Sequence, residues 1–340
     1  MGACRRKREA DGMTDRVWCQ EDGAPGQALR ECIAAAVAAP SIHNTQPWLF
    51  RGCDGVLEVM VDTTRRLTAV DHDGREMLVS VGAALFNLRV AVRAHGRQPV
   101  VALMPDPARP ELVARVQLGP DEAPTPSVAA LAGAIPLRHT NRRPYQDQPV
   151  PPAVLTELGV AAEREGATLL VADGELRSAV LSLVRTADNA MREHPAYRAE
   201  LAAWTTPGGV GRRDGVPRQA FGPRDARRAI PLRDFSLGNA APTATARFEP
   251  DPTMILLFTG GDTRADWVRA GSALERLLLT ATIRGLAATP LSQVVEVPRL
   301  RGLLADPAGG SFLQTVLRVG YPSMPVLATP RRSLDEVIVP

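Results

Sequence analysis

Three polar segments hold most of the side chains that could do chemistry. The first is Ala39-Pro40-Ser41-Ile42-His43-Asn44-Thr45-Gln46-Pro47-Trp48. Polar groups this dense, bracketed by prolines, make a stiff loop of hydrogen-bond donors and acceptors. Ser41, Asn44 and Gln46 can serve the rim of a heterocycle that offers both N–H and C=O. The alternative is an Asx-type turn that satisfies its own backbone, and residue types alone favour it. The second is Arg138-His139-Thr140-Asn141-Arg142-Arg143-Pro144-Tyr145. Two or three guanidiniums around a hydroxyl can grip a phosphate, with Thr140 adding a short hydrogen bond; a solvated basic turn is the more common outcome for a lone cluster. The third is Pro330-Arg331-Arg332-Ser333, which could equally be a charged tail.

Composition narrows the classes. Forty basic against 37 acidic residues leave a formal charge of +3 over 340 residues, so no excess charge is free to neutralise a nucleic-acid backbone. Nearly all the basic residues are arginine, which suits planar recognition of phosphate or carboxylate. Cys4, Cys19, Cys32 and Cys53 form no CxxC pair, and no histidines have ligand spacing beside them, so no metal is assigned. The basic start, Arg5 to Arg8, has no apolar run behind it and does not read as a signal peptide. Residues 1–24 read as a flexible extension, with Met13 an alternative start. No stretch reaches the roughly 18 apolar residues of a membrane span. The expectation is a cytoplasmic protein with a small-molecule substrate and neither nucleic acid nor membrane as partner.

The elements that must position these loops follow from periodicity. Gln27 to Ala39 reads as a helix stopped by Pro40; Trp48 to Phe50 and Val56 to Val61 read as a hairpin. Met77 to Ala94 is a long apolar helix, followed by strands at Pro99 to Met104 and Leu112 to Leu118. Residues 120–126 read as a link, then Ser127 as the cap of a short helix Val128 to Ile135. Helices at Val154 to Arg164 and Leu176 to Glu193 surround a strand at Thr168 to Val171. Residues 204–250 are rich in Gly, Pro and Arg, too long for a passive connection, and read as a lid anchored by Trp204, Phe221 and Phe235 or as a disordered insertion. Thr253 to Thr259 and Phe312 to Val319 are strands, with a second long helix at Trp267 to Arg284 between them. Both long helices carry the pattern apolar-Gly-small-Ala-Leu-x-x-Leu, at Val81 to Leu88 and Ala270 to Leu277, and both end at a glycine, Gly96 and Gly285. Together with the element order this suggests a duplicated unit.

The loop at Ala39 to Trp48 resembles the A-P-S-x-x-N-x-Q-P-W motif of FMN-dependent nitroreductases. Arg138 to Arg142 is similar to their R-x-[ST]-x-R phosphate loop, and Gly320-Tyr321-Pro322 with Arg331 to Val337 resembles their closing signature. The order is reversed from an ordinary member: the phosphate loop comes second, roughly a hundred residues after the first motif, about the length of a small domain. Ordinary members are homodimers with FMN at the subunit interface. A chain carrying one copy of each half-site resembles the Acg-like branch, in which two halves are fused; Glu200 to Trp204 and Asp214 to Pro217 also resemble that branch's lid.

The resemblance implies an α+β nitroreductase-like fold with a first half at 25–123, a second at 124–340 and a lid at about 204–250. It implies FMN, with Arg138, Thr140, Arg142 and Arg331 or Arg332 on its phosphate. Pro40, Ser41, His43, Asn44 and Gln46 would approach the ring, and Thr289, Pro290 and Leu291 would supply backbone near flavin N5. No side chain is required as nucleophile or acid, His43 being the one candidate, because the flavin does the hydride chemistry. Asp71 to Arg75 also resembles the branch, and a cap and turn before the Met77 helix suffices to explain it. NAD(P)H is the expected electron donor, and a nitroaromatic or quinone the expected acceptor. The alternatives are a flavin dehydrogenase acting on a natural product or peptide, and a flavin-holding protein closed by its lid. One internal pseudo-dimer could act as a monomer, with further dimerisation left open.

Overall fold

The computed structural model describes residues 26–53, 55–205, 212–236, 244–306 and 308–340. The N-terminal extension, Met13, Cys4, Cys19 and the glycines at 208, 209 and 211 lie outside the described residues. Helix α1 (Gln27–Val37) precedes a hairpin of β1 (Trp48–Cys53) and β2 (Val56–Val61), in register from Trp48 opposite Val61 to Cys53 opposite Val56. The long helix α2 (Arg75–Ala94) follows, then β3 (Arg97–Leu103) and β4 (Leu112–Asp121), giving an antiparallel sheet of order β1-β2-β4-β3. After α3 (Pro126–Ala134) and α4 (Pro152–Glu163) comes β5 (Ala167–Ala172), then α5 (Gly174–Glu193) and α6 (Pro195–Trp204). The chain resumes with β6 (Thr253–Thr259), the second long helix α7 (Arg264–Ile283), β7 (Ala287–Pro290) and β8 (Phe312–Gly320). Here too the order is β5-β6-β8-β7, all antiparallel, with the long helix again following the second strand. The fold is α+β, as expected.

The two long helices pack on each other, and two glycines set how closely. A Cβ built on Gly82 would fall 2.1 Å from the Val268 carbonyl oxygen, and one on Gly271 would fall 1.9 Å from that of Val79. Each glycine thus backs onto the residue three positions before the other, a reciprocal contact of the kind two-fold interfaces make. Ser272 Oγ donates to the Gly82 carbonyl (3.0 Å) and completes the contact. Contrary to the sequence expectation, α2 has the length and hydropathy of a membrane span. Every residue from Arg75 to Leu88 is buried, so its all-round apolarity reflects a position at the centre of the protein.

Several boundaries differ for local reasons. Strand β4 runs on to Asp121, so part of the expected link is ladder. Thr125, not Ser127, caps α3, because Pro126 takes the first helical position, where a missing N–H costs nothing. Pro195 starts α6 in the same way, a helix the sequence reading passed over. As the cap reading anticipated, the Asp71 carboxylate accepts from the amides of Glu76 (3.0 Å) and Met77 (2.8 Å) at the start of α2. The C-terminus crosses to the first sheet: in α10, the helix Leu334–Val337 that follows α8 (Gln293–Glu296) and α9 (Pro298–Gly302), Val337 joins the first core, and the Val339 amide donates to Phe50 (2.9 Å).

Candidate functional site

Where the Pro40–Asn44 loop meets α2, α7 and β7 lies a cavity of about 830 Å³, open solvent included. Val79 and Ala83 of α2 and Leu274 of α7 give it apolar surface. Pro40, Ser41 and His43 come from the first loop, Thr140 and Arg142 from the basic loop, and Thr289 and Pro290 from β7. A second hollow of about 390 Å³ shares Pro40, Ser41, Thr140 and Arg142 and adds Asn44, Arg138, His139 and Arg331. The two motifs therefore converge although they lie far apart in sequence, and the C-terminal arginine joins them. Gln46 and Leu291, both fully buried, and Arg332 stand behind these walls rather than in them.

The first loop is strained and held. His43, Asn44 and Gln46 adopt left-handed backbone (φ 47°, 55° and 52°), a conformation that costs a non-glycine residue on the order of 1–2 kcal/mol. Ser41 Oγ accepts from the Gln46 amide (2.9 Å), which is the self-satisfied turn. The amides of Asn44 and Gln46 are spent differently, on distant segments. Asn44 Nδ2 donates to the carbonyls of Gly215 (2.9 Å) and Pro330 (3.2 Å), and its Oδ1 accepts from Arg331 (3.1 Å). Gln46 Nε2 donates to the Arg213 carbonyl (2.8 Å), while its Oε1 accepts from the Arg332 amide (2.7 Å). These two side chains fasten residues 213–215 and the C-terminal segment onto the site.

The basic loop is stitched to β7: the Asn141 amide donates to the Ala288 carbonyl (3.0 Å), and Thr289 Oγ1 donates to the Asn141 carbonyl. Buried Arg318 of β8 braces this region from beneath, paired with Glu249 at 3.0 Å and stacked on the Tyr145 ring at 4.1 Å. Arg138 Nη2 and Arg331 Nη2 both donate to the Ala38 carbonyl, at 3.1 and 3.2 Å. Arg142 donates to the Ala220 carbonyl (3.0 Å) and stacks on Phe235 at 4.6 Å.

Electrostatically the site lacks negative charge. Arg138 faces buried Glu275 at 3.4 Å, but among the described residues Arg142 and Arg331 have no carboxylate partner. Burial and the Arg233 charge push Arg142 down to about 10; burial and Arg138 push Arg331 down to about 9. Both remain charged at neutral pH; Glu275 favours the Arg331 charge from beyond ion-pair distance, and an anion between these two half-buried cations would relieve them. Burial, then Arg138 and Arg331, hold His139 down at about 4. His43 is held well below its usual value by burial, then by Arg233 and Arg142, and neither of its ring nitrogens has a hydrogen-bond partner among the described residues.

Three buried groups here escaped the sequence reading. Glu275 sits in apolar α7 and its carboxyl is raised to about 7 by burial, against the pull of Arg138. Glu76 and Arg233 line the cavity. The available signal was a charged residue on the apolar stripe of a helix, for Glu76 and Glu275; Arg233 had none. Described residues of the expected lid do pack on the site: Phe235 meets the His43 ring edge-on at 5.6 Å, and Trp204 lies beneath Arg65 and Arg212.

No family model matches the chain. Sequence relatives do. A Mycobacterium tuberculosis (H37Rv) protein described as "Putative NAD(P)H nitroreductase" is 35% identical over 318 residues, 92% of this chain and 91% of its own length. The chain belongs to the nitroreductase family. A second mycobacterial nitroreductase relative, "Putative NAD(P)H nitroreductase acg", is 31% identical over 91% of this chain and 94% of its own; the Acg-like resemblance is thus borne out. Among solved nitroreductases, the FMN and NADPH-dependent NfnB from Sphigopyxis sp. strain HMH is 22% identical over 62% of this chain and 97% of its own, at a TM-score of 0.38. NfnB from Mycobacterium smegmatis, solved with NADPH, is 17% identical over 61% and 96%, also at 0.38. At those scores the superpositions add nothing to the assignment, which stands on sequence.

Proposed function

We propose that this chain is an FMN-dependent oxidoreductase that takes hydride from NAD(P)H and reduces a small quinone or nitroaromatic acceptor at one flavin site. The observation that carries this is the pair of half-buried guanidiniums, Arg142 and Arg331, with no carboxylate in ion-pair contact among the described residues, beside an apolar-walled cavity. A phosphate between Arg138, Thr140, Arg142 and Arg331 supplies the missing negative charge, and the adjoining cavity takes a ring. Pro40, Ser41 and His43 line the ring side, and β7 at Thr289 and Pro290 offers backbone edge-on. Asn44, Gln46 and Arg332 hold the walls in place, and Leu291 supports β7 from the core. The bound flavin supplies the hydride chemistry; the protein binds, orients and excludes water. The relatives' names support NAD(P)H as reductant.

The site lies between two halves, 25–123 and 124–340, which we read as a tandem duplication forming an internal dimer. Equal strand order and the reciprocal Gly82–Gly271 contact support this. Residues 204–250 would be a lid inserted between the first two strands of the second half. Leu232, Arg233 and Phe235 already form part of the cavity wall, which also favours a second reading in which a closed lid limits turnover. Purified protein should carry FMN, about one per chain, and anaerobic NADPH should bleach it. Bleaching by an organic substrate alone points to a dehydrogenase, and bleaching by neither to a holding protein. Protein that neither retains nor rebinds FMN sinks the proposal.

A further inference from the structure

We propose that Glu76 is the proton donor of this site, a neutral carboxylic acid on the cavity wall that protonates a quinone oxygen as the ring takes up hydride. The proposal rests on the oxidoreductase reading above. Glu76 stands in the first turn of α2 and is 9% exposed. Its Oε1 lies 3.3 Å from Arg75 Nη2, whereas its buried Oε2 has no hydrogen-bond partner among the described residues. A structural carboxylate in the protein interior has both oxygens engaged; this one has an enclosed oxygen with no partner, and its side chain lines the cavity with Ser80, Gln314 and Thr315.

The surrounding charges leave room for one proton. Arg75 and Arg233 carry two positive charges, against three carboxyls: Asp71 from the loop before α2, Glu296 from α8, and Glu76 itself. Burial raises Asp71 too, but two backbone N–H bonds pull it back toward its ionised form, and Glu296 accepts Arg233 on both oxygens at 2.5 and 2.6 Å. Arg75 spends Nη1 on the carbonyl (2.7 Å) and side-chain oxygen (3.1 Å) of Gln314. Glu76 is the carboxyl with the least support for a charge, and it keeps the proton. Burial, then Glu296, raises it well above the usual carboxyl range against the pull of Arg75. His43, the other unpartnered polar group on the wall, is held neutral beside Arg142 and Arg233, and a neutral imidazole is a poor acid.

The step balances. A quinone that gains hydride, two electrons and one proton's worth of hydrogen from NAD(P)H by way of the flavin, needs one further proton to become the hydroquinone. The Glu76 O–H bond breaks, an O–H bond forms on the quinone oxygen, and a carboxylate remains beside Arg75. Water reprotonates it after the product leaves. A general acid so placed typically contributes about 10²–10⁴-fold.

The test compares wild type with Glu76→Gln, both loaded with FMN and reduced anaerobically, then reoxidised by a benzoquinone or by ferricyanide. Ferricyanide takes one electron and no proton. The ratio of ferricyanide to quinone rate should rise at least tenfold in the variant, with the high-pH fall of the wild-type quinone rate abolished. Infrared difference spectra at pH 7 should show a protonated carboxylic acid band in wild type that Glu76→Gln lacks. An unchanged ratio, or no such band in wild type, overturns the role of Glu76 while leaving the flavin assignment intact. Wild-type protein without flavin overturns the functional reading instead, and the infrared band then reports on the proton alone.

Discussion

Replacing Arg142 by methionine should move stability and flavin binding in different ways. In the cofactor-free protein the half-buried Arg142 charge has no carboxylate partner among the described residues, and its fall to about 10 corresponds to about 3 kcal/mol of unfavourable interaction. Against that stand the bond to the Ala220 carbonyl and the stack on Phe235, together about 2–4 kcal/mol. The terms nearly cancel, and methionine fills similar volume, so cofactor-free stability should change by no more than about 1 kcal/mol. Binding has no such compensation. Loss of one charge-assisted bond to phosphate is worth about 1.5–3 kcal/mol, a roughly 10- to 150-fold rise in Kd. FMN at about 100 times the wild-type Kd stabilises wild type by about 2.7 kcal/mol; a 30-fold weaker variant at that concentration gains only about 0.9 kcal/mol. Denaturant melts with and without FMN, alongside flavin retention by absorbance, measure both. A variant that loses several kcal/mol without FMN would mean the Arg142 charge is already compensated, and one that keeps the full FMN-induced gain would remove it from the phosphate site.

Other outcomes follow from the same geometry. Gly271→Ala should cost several kcal/mol in urea melts, because its Cβ would overlap the Val79 carbonyl oxygen and the contact is backbone against backbone; a near-neutral effect would show that the helices can separate cheaply. Asn44→Ala with Gln46→Ala should retain FMN yet speed proteolysis within residues 212–236, since the bonds to Arg213 and Gly215 tie that stretch down; unchanged cutting would refute the tether. Glu275, facing Arg138, Arg331 and Asn87, binds its proton more tightly folded (about 7) than unfolded (4.5). Its contribution to cofactor-free stability is therefore full below pH 4.5, declines as pH rises through 7, and is lost above. Glu275→Gln should flatten that decline in pH-dependent melts, and an unaltered slope would assign it to another group.

The sequence alone determined the elements and the chemistry of two loops. Long runs of 3.6-residue periodicity in α2 and α7, and apolar runs in β2, β6 and β8, are local patterns, so both long helices and most strands were legible within two or three residues. The paired glycine motif was legible too, because close helix contact forbids a Cβ. What the motif meant in space was not: only packing shows that Gly82 and Gly271 face each other's backbone. The same holds for the site. Residue types marked Ser41, His43, Arg138 and Arg142 as polar and concentrated, but their meeting depends on β7 pairing with residues 140–141 and on the C-terminus returning to the first sheet. Glu76 and Glu275 stood out only as charges on apolar helix stripes and Arg233 not at all, since a charged side chain reads as solvent-facing until the fold buries it. Whether a guanidinium is paired, and whether a carboxyl keeps its proton, are properties of neighbours brought from 100 or more residues away, and tertiary contact decides them because desolvation and Coulomb interaction act through space rather than along the chain.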